Sequence, residues 1–153
     1  MAQLNLKSLI SLALVAFAGA ACSTSPTGRS QMVLKNDQEL AVEAARQFAE
    51  MKANMPLETD RAKIDYIHCV AQAVVKELPP DYRDLDWEMA IFQSDSVNAF
   101  AMPGGKIGVM TGILKAAQNQ DQLAAVIGHE IAHVTARHAN ERASRGSFSN
   151  VGV

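Results

Sequence analysis

Apolar residues recur along this chain with two periods, and the change of period divides it. Ile64, Ile67, Ala71, Val74, Val75 and Leu78 return every three or four positions, which predicts one apolar stripe on a helix from about Asp60 to Leu78. Pro79-Pro80 stops that helix. Upstream, Asn36-Asp37-Gln38-Glu39 has the composition of a capping box and predicts a helix from Leu40 to about Ala53, ended by Pro56. The period then shortens. Trp87 to Gln93 alternates like a strand, Ser94-Asp95-Ser96 reads as a turn, and Val97–Ala101 and Lys106–Met110 read as two further strands. The intervening Met102-Pro103-Gly104-Gly105 suggests a hairpin or tight bend. A short helix is expected from Gly112 to Ala117. Asn119 or Asp121 should then cap one long helix running to about Glu141 or Arg142, and the Ser/Gly-rich Ser144–Ser149 reads as a loop. Helices beside a small sheet make an α+β protein.

The N-terminal stretch follows neither period. Lys7 is the one charge before an uncharged, Leu/Ala-rich run that ends in Ala18-Gly19-Ala20-Ala21-Cys22, the layout of an export signal with a small-residue cleavage site. The run is shorter than the roughly 20 apolar residues needed to span a bilayer. Residues 1–21 therefore read as a signal peptide. A cysteine directly after small residues resembles a bacterial lipoprotein signal, which implies that Cys22 carries lipid and that Ser23 directs sorting to the outer membrane, on its periplasmic side. Residues 22–35, with Ser, Thr, Pro26 and Gly28, are expected to form a flexible tether, and 36–153 the folded part.

Composition excludes little but is useful on partners. With 48% hydrophobic and 20% charged residues the chain is ordinary for a globular protein, and a net charge of -2 offers no basic face for nucleic acid. If Cys22 is lipidated, Cys69 is a lone thiol, expected as a small core residue, and no disulfide is expected. His68 beside it cannot face the same metal on a helix and reads as structural or surface.

The chemistry lies in His129-Glu130-Ile131-Ala132-His133. Residues four apart on a helix differ by about 40° and about 6 Å, so both imidazoles can serve one metal ion. Glu130, rotated roughly 100° from His129, can act on a water held by the metal without being a ligand. Zinc suits neutral imidazole nitrogens and keeps an open position for water. Two histidines and a glutamate on the wet edge of a packed helix would satisfy the motif without metal. Titratable groups amid the uncharged Val126, Ile127, Gly128, Val134 and Ala136 favour metal binding, since burial without a partner is costly. Gly104-Gly105 lacks a following Lys-Ser/Thr at the spacing of a phosphate loop, so nucleotide binding is rejected.

Asn98-Ala99-Phe100-Ala101-Met102-Pro103-Gly104-Gly105-Lys106-Ile107-Gly108-Val109, followed by the capped motif helix, resembles the zinc metallopeptidase family that includes HtpX and the CAAX prenyl protease. Thr27–Gln31 and Ala136–Arg142 are similar to its periplasmic, outer-membrane lipoprotein branch. The resemblance implies a zincin-like fold with His129 and His133 as zinc ligands and Glu130 as general base. It also implies a strand at Asn98, Ala99, Phe100 and Ala101 that holds substrate along its edge. The family's third ligand is a glutamate on a later helix, and the stretch after His133 has no counterpart. On one continuous helix Glu141 would stand about 12 Å up the axis, and His138 about 7.5 Å along and roughly 140° around, facing away. His138 could then orient the site as an outer residue or sit at the surface. The expectation is the N-terminal part of a longer peptidase domain. Two functions follow: an endopeptidase cutting misfolded or misassembled envelope proteins, or a catalytically incomplete, chaperone-like lipoprotein that binds such clients.

Overall fold

The computed structural model describes residues 22–24, 28 and 30–149. The expected signal peptide lies outside them, and so does the side chain of Cys22. Two short antiparallel strands come first, β1 (Cys22–Thr24) and β2 (Ser30–Met32). Helix α1 (Asp37–Asn54) starts where Asn36 Oδ1 accepts the N–H of Gln38 at 2.8 Å, and α2 (Arg61–Lys76) where Asp60 Oδ1 accepts that of Ala62 at 3.0 Å. A one-turn helix α3 (Pro80–Arg83) leads into β3 (Glu88–Phe92), β4 (Ala99–Met102) and β5 (Lys106–Met110). A 3-10 turn (Thr111–Lys115) stands where the short helix was expected. Helix α4 (Gln120–Thr135), capped by Asn119, carries the motif, and α5 (His138–Ser149) follows.

The sheet runs β3-β5-β4, with β3 parallel and β4 antiparallel to β5. Pleating sends alternate side chains to its two faces, and each face has its own partner. Ile91, Ala99, Ile107 and Val109 pack with Ile67, Val70 and Ala71 of α2 and Leu123, Ile127 and Ile131 of α4. On the other face Phe92, Phe100 and Phe48 of α1 form an edge-to-face and stacked trio with centroids 6.3–6.5 Å apart. The β4–β5 hairpin turns through Gly104 and Gly105, whose φ of 77° and 79° suits residues without a Cβ. The helices thus pack on both faces of a small sheet, an α+β, zincin-like arrangement.

Several expectations change. Cys69 is exposed rather than in the core. The Ser/Gly-rich segment is helical, not a loop. Within the stretch read as a tether, the described residues hold β1 and β2, and the chain after β2 is anchored to α5. Leu34 N donates to Ser144 Oγ at 2.9 Å and Lys35 N to Asn140 Oδ1 at 3.2 Å. The largest change is in the motif helix, which ends at Thr135 instead of Glu141 or Arg142. Arg137 takes a left-handed φ of 55° and the chain restarts as α5 in a new direction.

Candidate metal centre and substrate cleft

Leu123, Ile127 and Ile131 repeat every four residues and are fully buried, so they fix which way α4 faces. His129 and His133 each come two positions later, about 200° around, and therefore point away from that stripe. His129 is exposed, while Glu130 and His133 are half-buried. One nitrogen from each imidazole and one Glu130 oxygen lie within 4.8 Å of one another. The two rings stand 4.6 Å apart at 77°. Two imidazole nitrogens and a carboxylate at that spacing fit a metal ion, which His129 and His133 would hold. Glu130 would then be free to handle a proton beside that ion. Among the described residues no further His, Cys, Asp or Glu joins this cluster. Glu141 is buried and paired with Arg145 at 2.8 Å.

His138 does not face away. Its Nδ1 lies 2.7 Å from Nδ1 of His133, because the turn at Arg137 folds α5 back toward the site. The turn is held from outside. Tyr82 donates its hydroxyl to Thr135 O at 2.9 Å, Arg137 pairs with Asp37, and the buried Asn140 donates to Lys35 O at 2.7 Å and Asp37 Oδ1 at 2.6 Å. Glycine usually marks such a helix end, and here arginine takes the position, so no local signal announces it.

A cleft of about 1000 Å³ opens beside the cluster. Glu130, His133 and His138 line one side and Phe100, Ala101 and Met102 of β4 another, with Tyr82 and α1 completing it. Asn98 and Ala99 lie further along the strand, outside this lining. The outer edge of β3 is covered, since Glu58 N donates to Ile91 O and Gln93 N to Pro56 O, both at 2.8 Å. β4 is the other edge, and it packs beside α4. Met110 N donates to Asn98 O at 3.0 Å, which by alternation places Phe100 and Met102 in bonded pairs with β5. The N–H and C=O of Ala99 and Ala101 therefore point to the free edge. Their side chains do not, since the methyls of Ala99 and Ala101 join the core with α2 and α4, and Phe100 lies against Gly108.

A helix bearing two imidazoles and a carboxylate beside the edge strand of a small sheet defines a metallohydrolase of zincin-like build. The sequence profile of Peptidase family M48 matches residues 61–152, and the chain belongs to that family. Relatives include the mitochondrial metalloendopeptidase OMA1 of Schizosaccharomyces pombe, 48% identical over 39% of this chain and 18% of its own. The OMA1 metalloendopeptidase of Bos taurus is 32% identical over 77% of this chain and 24% of its own length. The beta-barrel assembly-enhancing protease of Yersinia pestis is 30% identical over 69% of this chain and 21% of its own. The chain thus spans about a quarter or less of the length of these relatives.

Proposed function

We propose that the chain forms the catalytic core of a zinc-dependent endopeptidase that cuts misfolded or misassembled polypeptides of the bacterial envelope. The observation that carries this reading is the His129–Glu130–His133 cluster beside a free strand edge. When bound, zinc polarises the scissile carbonyl and lowers the pKa of water to about 7. The rest falls to the chain. Outward main-chain groups of Ala99 and Ala101 pair with an extended substrate as an added strand, which selects for unfolded backbone rather than for sequence. Glu130 accepts the proton of the attacking water and returns it to the leaving amine. His129 and His133 hold the ion, with their apolar helix face locked in the core.

A place in the membrane-anchored, outer-membrane branch of the family is part of the same proposal. The run before Cys22 resembles a lipoprotein signal, and the Yersinia pestis relative is by name a beta-barrel assembly-enhancing protease. In this proposal a lipid on Cys22 tethers the enzyme to the outer membrane on the periplasmic side. Radiolabelled palmitate should enter the native protein expressed in a Gram-negative host and be absent from Cys22→Ala; label in both would remove the anchor.

The test of the activity uses the full-length zinc-loaded protein and an unfolded polypeptide. Glu130→Gln should retain the metal and lose cleavage by about 10²- to 10⁴-fold. Equal cleavage by both forms would overturn the reading. A second reading rests on the cluster having two imidazoles among the described residues where catalytic zinc has three protein ligands. In it the same edge holds clients without cutting them. Client binding that is unchanged by chelation, with no cleavage, would favour it.

A further inference from the structure

We propose that His138 is a positioning residue of the metal centre: its Nδ1 accepts the Nδ1–H of His133 and leaves the Nε2 lone pair of His133 free for the ion. The inference rests on the metal-site reading above. Two ring nitrogens 2.7 Å apart cannot both present bare lone pairs, so one proton lies between them. If His138 donates it, a neutral His133 carries its own proton on Nε2 and that nitrogen cannot serve a cation. If His133 donates it, Nε2 is bare. Metal ligation requires the second arrangement, and His138 holds it already in the metal-free protein, which is the role an outer hydrogen-bond partner plays for a ligating imidazole.

The spacing also says what His138 is not. Two nitrogens that share a tetrahedral ion at about 2.0–2.1 Å each stand about 3.3 Å apart. The pair here is closer, and His138 is outside the three-residue cluster. Its ring centroid lies 4.9 Å from that of His133 with the planes tilted by 49°. What brings it there is the left-handed turn at Arg137. That turn is anchored by Asp37, and by Asn140 with every one of its described bonds made at 2% exposure. The anchors come from α1 and from Lys35, so a segment about a hundred positions earlier sets the orientation of His138 against His133.

The test begins with the metal-free full chain. Long-range nitrogen–proton correlation spectra of the imidazoles should show His133 protonated on Nδ1. A wild-type His133 protonated on Nε2 would overturn the proposal before any variant is made. His138→Leu, which fills the space without an acceptor, should lose that tautomer and weaken zinc binding by about 10- to 100-fold in competition with a chelator. His138→Asn, whose Oδ1 falls where Nδ1 stood, should restore both to within a few-fold of wild type. Melting curves of the three metal-free proteins confirm that each is folded. A Leu variant with wild-type tautomer and affinity would sink the idea, and so would an Asn variant as weak as Leu. Failure of the peptidase reading looks different: the tautomer is retained and polypeptide still goes uncut.

Discussion

Arg137 and Asp37, a hundred positions apart, form an ion pair that ties the turn after the motif helix to the first turn of α1. Asp37 uses its other oxygen to accept from the buried Asn140 at 2.6 Å, so one carboxylate holds both sides of the turn. Both ion-pair partners are nearly half exposed, and the ion pair itself contributes little. The bond to Asn140 matters more, because losing it leaves one N–H of a buried amide without its acceptor. Asp37→Ala should therefore destabilise the protein by about 1–3 kcal/mol, read from urea melts. Arg137→Gly should cost less, since glycine removes a left-handed penalty of about 1–2 kcal/mol while the Asn140 bond survives. An equal loss in both variants would show that the ion pair, not the amide, holds the turn.

The two directions of the β4 main chain separate the proposed substrate binding from folding. Ala101 turns its N–H to the free edge, so Ala101→Pro should leave the metal content near wild type. It should lower kcat/KM by about tenfold, the worth of roughly one hydrogen bond to substrate. Phe100 turns its N–H to β5, so Phe100→Pro breaks the ladder and the aromatic trio and should unfold the sheet. Steady-state cleavage and thermal melts of the two variants distinguish these outcomes. Equal melting temperatures would refute the assigned register.

Phe100 reaches across its neighbour. A Cβ on Gly108 would lie 2.1–2.7 Å from three atoms of the Phe100 ring, so the ring occupies the space that glycine leaves. Gly108→Ala should displace the ring and cost about 1–3 kcal/mol by overpacking. Pairing it with Phe100→Leu, which withdraws the colliding ring atoms, should recover part of that loss in denaturant melts.

Acid should weaken the fold through carboxylates that belong to neither the histidine cluster nor the cleft lining. The Glu58 side chain is 4% exposed and accepts from Asp60 N at 3.0 Å, Thr59 N at 2.9 Å and Lys63 Nζ at 3.2 Å. The Asp60 amide first, then the Thr59 amide and the Lys63 ammonium, hold its carboxyl below the ordinary value of 4.5. Lys52 and then Lys106 do the same for Glu88, and Lys115 for Asp95. A depressed folded value means that the unfolded chain binds protons first as pH falls. Their stabilisation is full above the ordinary carboxylate range and is lost as pH drops through the lower folded values. Glu58→Gln should flatten that part of the stability profile, measured by denaturant melts across acidic pH. A profile as steep as wild type would assign the loss to other groups.

Local periodicity carried the sequence reading a long way. The stripe of Ile64, Ile67, Ala71 and Val74 placed α2, alternation placed the three strands, Pro-Gly-Gly placed the hairpin, and the four-residue spacing of His129 and His133 put both imidazoles on one face. Each of these depends on neighbours within a turn or a pleat, and sequence records such neighbours directly. The order β3-β5-β4, the covering of one sheet edge by Pro56–Glu58, and the exposure of Cys69 depend on which elements meet, so they needed the tertiary structure. The turn at Arg137 is the sharpest case. Nothing in Ala136-Arg137-His138 marks a helix end, and helix continuation would carry His138 away from His133. Asp37, Lys35 and Tyr82, all distant in sequence, supply contacts that offset a left-handed arginine and hold His138 beside His133.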